Sequence, residues 1–398
     1  TVPWCASCQT VLASAEIEHE ERKDPSIYVK FPLVEGAKIF PELADKNISL
    51  LVWTTTPWTL PLNRAVMIKP NATYVVLQDG EQYLVVAQEL ADKICSQKEI
   101  VKQIVAQINA NSLIGGLVNH PFIANMQVPI LGEESVSLND GTACVHCAPG
   151  CGPEDYEVGV KNNLEIYSPI SPDGKYTSEV VPQVLAGMAV SDGQIWVIKE
   201  LAANGNLYHK SSLRHAYPHC WRCHQGLIFR ATSQWFCNLA KNGLKEQALA
   251  ALDKINFIPE RSKGSLRGAI DSRLEWCLSR QRTWGTPIVA VLCTNCEQSY
   301  TDPRFIEQVA QQIEKYGIEY WREVKLSDIL PIDLCCKKCG GQEFKKEQDI
   351  LDVWFDSGVS HYAVLVNKNA ALNHFPANIY LEGRDQARGW FQSSVLTS

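Results

Sequence analysis

The sequence lacks the features that mark membrane and secreted proteins. No uninterrupted apolar run reaches the roughly 18 residues that a membrane-spanning helix needs, so we expect no membrane segment. The first residues, TVPWCASC, do not have the charged and apolar regions of a secretory leader. The formal net charge is −7, so no overall positive field would attract nucleic acid, although a local basic patch still allows an RNA partner. We therefore expect a globular, cytoplasmic protein.

Methionine is scarce as well. The chain has three methionines, Met67, Met126 and Met188, and it does not begin with one. It ends at SSVLTS, without a closing turn or a polar tail. We interpret both ends as cut and expect a piece of a longer protein. At 398 residues the chain is long enough for two or three domains, each with its own core.

Cysteine, in contrast, is abundant: the chain has 15, many of them in CxxC pairs, a pattern typical of reduced thiols that bind metal. A CxxC turn directs two thiolates to one point, and Zn²⁺ prefers four such ligands in a tetrahedron. We therefore predict two structural zinc sites, with scattered buried cysteines as the alternative. The ligands are Cys5, Cys8, Cys220 and Cys223 in the first site and Cys293, Cys296, Cys336 and Cys339 in the second. Cys335 adjoins Cys336, but only Cys336 has the CxxC spacing to Cys339.

Strand and helix patterns alternate along the chain, which predicts an α/β protein. The strand patterns include SLLVWTTT, TYVVLQ, QYLVVA and the run into TACVHCAPG, and the helical patterns include QELADKICSQ, GQIWVIKELAANG and NGLKEQALAALDKI. We predict a β-rich mixed domain at 23–208, inserted between 1–22 and 209–289, which hold the two halves of the first zinc module. The second zinc module takes 290–348, around the helix RFIEQVAQQIEKYG, and 349–398 forms a last segment of short strands and Gly-rich turns.

Two segments of the predicted inserted domain carry unusual groups of polar residues. LVWTTTPWTLPLNRAV places Thr54, Thr55 and Thr56 at the entrance of a loop, with Asn63 just beyond, and GTACVHCAPGCGPEDYEVG supplies His146 and Asp155 around a Gly/Pro turn. The threonines alone could be an ordinary strand end, since threonine favours strands. Together the two segments fit a pocket for an amino acid ester, in which the acid takes an α-ammonium group and the hydroxyls crowd the side chain and position a water. A weaker alternative is a third metal site formed by Cys144, His146, Cys147 and Cys151, which has one CxxC pair and no second pair to complete it.

Both segments resemble the editing domain of the isoleucyl-tRNA synthetase family. WTTTPWTLP-x-NRA is similar to that family's threonine-rich loop, and GT-x-x-VH-x-APG-x-G-x-x-DY is similar to its second editing motif. The sister valyl and leucyl enzymes carry a Thr-Thr-Arg-Pro core in the first loop, where this chain has Thr55-Thr56-Pro57-Trp58. The resemblance continues through YPHCWRC, IFRATSQWF, WCLSRQRTWGTPI, LDVWFDSGVSH and YLEGRDQARGWFQSS, and so covers nearly the whole chain.

The resemblance implies an editing pocket that hydrolyses valine wrongly attached to tRNA(Ile). Its residues would be Thr54, Thr55, Thr56, Asn63, His146 and Asp155. Asp155 would hold the α-amino group, and His146 with a threonine would exclude isoleucine. Four residues of the second motif depart from the family pattern. Ala143 stands where glycine is usual, Cys144 where alanine is usual, Cys147 where threonine is common and Cys151 where histidine is usual.

For the C-terminal segment the resemblance implies the second half of a Rossmann-type class I catalytic domain, with a strand that ends in IYLEG and a helix that begins near DQARGWF. Residues that would contact isoleucyl-adenylate or line the isoleucine pocket are Trp354, Glu382, Gly383, Asp385, Gln386 and Trp390. The two tryptophans could instead be ordinary core aromatics, and Arg384 and Ala387 depart from the family pattern. The intact enzyme would use ATP with Mg²⁺, isoleucine and tRNA(Ile), and we expect a monomer. Because the family's His-Ile-Gly-His and Lys-Met-Ser-Lys-Ser motifs do not occur in the chain, we predict that it cannot activate isoleucine by itself.

Three alternatives remain open. A free-standing deacylase of Val-tRNA would need the inserted domain without DVWFDSG and YLEGRDQ, which are present here. A zinc-dependent RNA-binding module would need basic surfaces around the CxxC pairs, which only CCKKCGGQEFKK offers. A valyl or leucyl sister enzyme is disfavoured by the threonine loop.

Overall fold

The computed structural model describes residues 1–273, 275–366 and 374–398. The chain divides into two compact units: the first contains Thr1–Gln9 and Glu16–Thr232, and the second contains Thr10–Ala15 and Ser233–Ser398. Among the described residues, no helix is both long enough and apolar enough to cross a membrane.

Strands and helices alternate along most of the chain. The strands are β1 (Val2–Cys5), β2 (Thr10–Val11), β3 (Ile17–Pro32), β4 (Ile48–Thr54), β5 (Ala65–Ile68), β6 (Thr73–Asp79), β7 (Gln82–Ala87), β8 (Ile104–Asn109), β9 (Leu117–Asn119), β10 (Gln127–Gly132), β11 (Cys144–Cys147), β12 (Leu207–Cys220), β13 (Ile228–Arg230), β14 (Phe236–Asn238), β15 (Glu275–Cys277), β16 (Ser279–Arg280), β17 (Val291–Cys293), β18 (Ser299–Tyr300), β19 (Phe344–Lys346) and β20 (Ile350–Leu351). The α-helices are α1 (Gly36–Ile39), α2 (Ala91–Lys98), α3 (Pro153–Lys161), α4 (Val190–Ala203), α5 (Leu244–Ala251), α6 (Ser262–Asp271), α7 (Pro303–Tyr316), α8 (Glu319–Glu323), α9 (Val353–Gly358) and α10 (Trp390–Thr397).

Two sheets form the centre of the first unit. One has the strand order β12-β3-β4-β7-β6-β8 and the other β11-β5-β10-β9. The strands predicted from SLLVWTTT, TYVVLQ and QYLVVA are confirmed as β4, β6 and β7. Their valines and leucines are buried in one hydrophobic core together with Val66 and Ile68 of β5, as expected for strands covered on both faces.

The pairing of β5 with β11 brings the two polar segments of the sequence together. These strands are antiparallel, with Val66 opposite His146 and Ala65 opposite Cys147. Since β5 follows the threonine loop directly, this register places His146 beside that loop, although Thr59 and His146 are 87 residues apart in the chain.

A long antiparallel ribbon connects the two sheets to the first group of cysteines. Strand β3 pairs with β12 from Ile17 opposite Cys220 to Val29 opposite Leu207. Halfway along the ribbon, the buried carboxylate of Asp24 accepts hydrogen bonds at 2.9 Å from Arg22 and at 2.9 Å from His215. A paired ribbon with a cross-strand side-chain hydrogen bond is stiffer than a single connecting strand.

In its described part, the second unit contains short strands and helices, and two small hydrophobic cores lie among them. One core contains Trp276 together with leucines from α6 and α10, and the other contains Trp321 and Val309. The helices predicted from NGLKEQALAALDKI and RFIEQVAQQIEKYG are confirmed as α5 and α7.

The prediction of a strand that ends in IYLEG is wrong. Residues 379–383 have no regular structure, and a short 3₁₀ helix, Arg384–Arg388, leads from them into α10. A strand needs a neighbour to accept and donate its backbone hydrogen bonds. The part of the chain that the structure describes offers none here, so Ile379 and Leu381 are 81% and 82% exposed.

Candidate functional site

The threonines lie at the carboxyl end of β4, where the chain enters a 3₁₀ turn, Pro57–Leu62. Their hydroxyl groups form a row: Oγ1 of Thr54 lies 3.3 Å from Oγ1 of Thr56, which lies 3.5 Å from Oγ1 of Thr59. The backbone N–H of Thr56 also donates to Oγ1 of Thr54, at 3.1 Å. Thr55 is half-buried beside this row. The threonines are therefore a connected polar group rather than an ordinary strand end.

His146 joins the row through Thr59. Its Nε2 lies 3.0 Å from Oγ1 of Thr59, and that hydroxyl donates its single hydrogen to the carbonyl of Thr56, at 2.8 Å. With the Thr59 hydrogen directed to Thr56, Nε2 is assigned the hydrogen of the neutral imidazole and donates it to Thr59. Burial lowers the pKa of His146 to about 4, so the ring stays neutral at physiological pH. The row thus ends on an imidazole with a fixed tautomer.

Thr59 is a residue that the sequence reasoning did not assign to the site. It follows Thr56 by three residues, and in a 3₁₀ turn residues i and i+3 lie on the same side. The prolines that frame PWTLP could have indicated this turn, because proline at the first position favours a helical start. The spacing, rather than the residue type, was the available signal.

Asp155 lies in the first turn of α3, and its carboxylate returns to the end of β11. Its Oδ2 accepts a hydrogen bond of 2.8 Å from the backbone N–H of Ala148, two residues after His146. Burial raises the pKa of Asp155 from 3.8 to about 6, although the Ala148 N–H acts in the opposite direction. The carboxylate is therefore ionised at neutral pH, but its ionisation lowers the stability of the folded chain. A pKa raised in this way is common for functional acids.

Asn63 is fully buried and connects the two segments. Its Nδ2 donates to the carbonyl of Ala65 at 2.8 Å and, more weakly, to that of Cys147 at 3.4 Å. These contacts connect the end of the turn Pro57–Leu62, which we call the threonine turn, to the strand that carries His146.

The four departures from the family pattern have different structural settings. Ala143 has φ +56°, a left-handed conformation that costs an alanine about 1–2 kcal/mol and that glycine adopts freely. Cys144 and Cys147 are buried, with their thiols 3.8 Å and 3.7 Å from the backbone carbonyls of Val85 and Asp155. Over the residues that the structure covers, they form no group of metal ligands with His146 or Cys151. The weaker alternative of a third metal site is therefore not supported.

The eight cysteines predicted as zinc ligands come together in two groups of four. The first cysteine cluster is Cys5, Cys8, Cys220 and Cys223, and the second is Cys293, Cys296, Cys336 and Cys339; in each, all four sulfur atoms lie within 4.8 Å of one another. The sulfur atoms of Cys5 and Cys223 lie 3.4 Å apart in the first cluster, and those of Cys293 and Cys339 lie 3.5 Å apart in the second. Four sulfurs around Zn²⁺ at ~2.3 Å would be roughly 3.8 Å apart, so both clusters fit this ion. Cys335 is exposed and outside the second cluster, as the CxxC spacing predicts.

In the described part of the chain, residues assigned to the synthetic site by resemblance line two different cavities. Trp354 lines a cavity of about 190 Å³ together with Arg273 and Gln392, whereas Glu382 and Gly383 line another of about 440 Å³.

Three further residues of that assignment lie around the start of α10. Trp390 stacks on Tyr380, with ring centroids 4.0 Å apart, and its indole N–H donates to the carbonyl of Ser357 at 2.8 Å. Gln386 accepts a hydrogen bond of 2.9 Å from the Trp390 amide and donates to the exposed Asp385 at 3.0 Å. Trp390 thus packs within the unit, and Asp385 faces solvent.

A family model and curated relatives match the full chain, whereas a solved structure matches half of it. The family model of class I tRNA synthetases (I, L, M and V) matches residues 1–398. The chain is 44% identical over 399 residues to the isoleucine–tRNA ligase of Geobacter sulfurreducens. The aligned region covers 100% of this chain and 43% of that protein. It is 43% identical over 396 residues to the isoleucine–tRNA ligase of Petrotoga mobilis, with 99% and 42% covered. A crystal structure of the P. knowlesi cytosolic leucyl-tRNA synthetase editing domain matches with a TM-score of 0.38 and 14% identity, over 50% of this chain and 99% of that one. The chain thus spans less than half the length of these curated relatives.

Proposed function

The chain belongs to the class I tRNA synthetases (I, L, M and V), and from this premise we propose that it is part of an isoleucine–tRNA ligase. The complete enzyme would attach isoleucine to tRNA(Ile) with ATP and Mg²⁺ in the cytoplasm, where translation uses charged tRNA. The first unit would be its editing domain, which removes valine from mischarged Val-tRNA(Ile). The second unit would belong to a Rossmann-type catalytic domain.

Editing is needed because binding alone discriminates poorly between valine and isoleucine. One methylene group in an apolar pocket is worth only ~1–3 kcal/mol, a limit for which isoleucine–tRNA ligases are themselves the standard example. A second site that hydrolyses only the smaller ester supplies the rest of the discrimination.

The observation that carries the proposal is the hydrogen-bonded row from Thr54 through Thr59 to His146. These groups would surround the aminoacyl side chain, and a neutral imidazole held by Thr59 would leave too little room for isoleucine. The ionised Asp155 would hold the α-ammonium group of the ester.

The hydrolysis requires no nucleophile from the protein. The oxygen of a water molecule forms a bond to the ester carbonyl carbon, and the bond from that carbon to the terminal ribose oxygen breaks. The ribose oxygen takes a proton, so valine and uncharged tRNA(Ile) are released. The protein would orient the ester, exclude the larger side chain and position the water.

Both cysteine clusters would hold Zn²⁺ in this proposal. A four-cysteine zinc supplies a structural cross-link and no open coordination position. The first cluster would fix the ribbon of β3 and β12, and the second would fix the strands β17, β18 and β19.

The test is deacylation of Val-tRNA(Ile) and Ile-tRNA(Ile) by the zinc-loaded chain and two variants. Asp155→Asn removes the charge and keeps an oxygen to accept the Ala148 N–H, and Glu154→Gln makes the same change at an exposed carboxylate in the same helical turn. We expect the wild type and Glu154→Gln to cleave only the valyl ester, and Asp155→Asn to lose at least about tenfold in rate, as when a charged contact is removed. Equal cleavage of both esters by the wild type, or full activity of Asp155→Asn, would contradict the proposal.

A further inference from the structure

We propose that Tyr176 is a positioning residue of the threonine turn, held in place by a hairpin that also contacts residues next to the first cysteine cluster. The proposal rests on the editing function proposed above and adds the residue that fixes the geometry of its site. The bracing hairpin, Ser168–Tyr176, belongs to neither of the two polar segments.

Tyr176 holds one side of the peptide group that precedes Thr59. Its hydroxyl donates to the carbonyl of Trp58 at 2.6 Å, and both residues are buried. The N–H of the same peptide group, that of Thr59, donates to the carbonyl of Thr56 at 3.0 Å. Because a peptide group is planar, these two hydrogen bonds together fix its orientation. The direction of the Thr59 side chain toward His146 follows from that orientation.

The phenol ring of Tyr176 has little freedom to move. A Cβ placed on Gly193 of α4 would lie 2.3 Å from Cε2 of the ring, so the helix backbone rests directly against it. The backbone of Tyr176 donates to the carbonyl of Met188 at 2.9 Å and accepts from Gly187 at 2.8 Å. Packing against Gly193 therefore fixes the ring of Tyr176, and two hydrogen bonds fix its backbone. Together they fix the position of the hydroxyl group at the threonine turn.

The bracing hairpin is attached in turn to the region of the first cysteine cluster. The indole N–H of Trp4 donates to the carbonyl of Pro172 at 2.8 Å, and Arg230 donates to the carbonyl of Ile170 at 2.8 Å. Gly174, with φ +74°, lies so close to the Cys5–Cys8 turn that a Cβ there would be 2.7 Å from Cβ of Ala6. These contacts form a continuous path from the cysteine turn through Tyr176 to Thr59.

The hairpin also contacts the second polar segment. Oγ of Ser168 donates to the carbonyl of Gly150 at 3.1 Å, within the turn that follows Ala148. One short hairpin thus touches the threonine turn and the turn next to Asp155. We infer that it keeps the two halves of the site in register.

Tyr176→Phe is the sharpest test, because it removes the hydroxyl and keeps the ring. Tyr208→Phe is the matched control: Tyr208 is a buried tyrosine of the first unit whose hydroxyl donates to Asp79 at 3.0 Å, away from the threonine turn. The first measurement is the ratio of deacylation rates of Val-tRNA(Ile) and Ile-tRNA(Ile) by the zinc-loaded chain. We expect this ratio to fall about tenfold in Tyr176→Phe and to stay unchanged in Tyr208→Phe, since one buried hydrogen bond is at stake. A smaller folded fraction would lower both rates equally and leave the ratio unchanged.

The second measurement is hydrogen exchange at the amides of Thr59 and Asn63, both of which donate within the turn. We expect their protection to fall in Tyr176→Phe and to stay at the wild-type level in Tyr208→Phe. If the wild type is selective and Tyr176→Phe keeps its ratio, the positioning role is overturned while the editing function stands. If the wild type does not select the valyl ester, the editing function fails, and the exchange rates alone decide the role of Tyr176. Unchanged protection in Tyr176→Phe would overturn it.

Discussion

Replacing Asp155 by asparagine should stabilise the folded chain at neutral pH. Burial raises the pKa of this carboxyl from 3.8 to about 6, so the folded chain binds its proton more tightly than the unfolded chain does. The ionised form therefore costs folding free energy. The cost is absent below about pH 4, grows as the pH rises to about 6 and is complete above that. A difference of about two pKa units corresponds to up to about 3 kcal/mol.

Asparagine removes this cost, because it is neutral and can still accept the hydrogen bond from the Ala148 N–H. Urea unfolding of the wild type and Asp155→Asn at several pH values between 4 and 8 measures the effect. We expect the variant to be more stable by up to about 3 kcal/mol at pH 7.5, with the difference disappearing near pH 4. Glu154→Gln should have the opposite sign, because an exposed carboxylate in the first turn of a helix stabilises it by about 0.3–1 kcal/mol. A stability difference for Asp155→Asn that is zero, or that does not change with pH, would refute the argument from burial.

Three further predictions concern other parts of the chain. Thr59→Val should leave the Nε2 hydrogen of His146 without its acceptor, and should therefore lower the rate of deacylation of Val-tRNA(Ile) by about tenfold or more. Thr59→Ser keeps the hydroxyl and should retain most of the rate. Equal rates in the two variants would contradict the role of the hydroxyl. Ala143→Gly should raise the free energy of unfolding by about 1 kcal/mol, because φ +56° strains alanine and not glycine. Urea denaturation measures the change. A loss of stability would show that the strain is not relieved. Removal of metal by a chelator should change the tryptophan fluorescence of the chain, to which Trp321 contributes from its buried position beside β17, and Zn²⁺ but not Mg²⁺ should restore the spectrum. An unchanged spectrum would argue against a structural metal.

The strands and the cysteine clusters could be predicted from the sequence because each has a local signal. Apolar runs such as TYVVLQ bury a whole strand in the core, and CxxC spacing selected Cys336 over its neighbour Cys335, as the cluster geometry confirms. The strand predicted to end in IYLEG failed for the opposite reason. Its pattern is correct for a strand, but a strand exists only beside a partner, and nothing local in a sequence supplies that partner.

The candidate site was predictable only in part. The threonine row and its pairing with His146 depend on the register of β5 and β11, in which Val66 lies opposite His146. The resemblance of the motifs predicted that the two segments belong to one pocket, but it did not predict the register of the two strands. It did not provide the hydrogen bond from His146 to Thr59, nor the buried position of Asn63, because both depend on how side chains point across a sheet.

The threonine turn is also held by hydrogen bonds from residues outside its own sequence motif. Pro57 and Pro61 contribute no backbone N–H, so the turn Pro57–Leu62 has fewer internal hydrogen bonds than its length allows. Donors from elsewhere bind its carbonyls instead: Tyr176 donates to Trp58 at 2.6 Å, and Nε2 of His120 lies 2.9 Å from the carbonyl of Leu60. Burial lowers the pKa of His120 to about 4, and its Nδ1 accepts from the Ile123 N–H at 3.0 Å, so Nε2 carries the hydrogen and donates to the turn. Two buried side chains thus hold carbonyls of this turn, and with them the position of the hydroxyl row that would exclude the larger side chain.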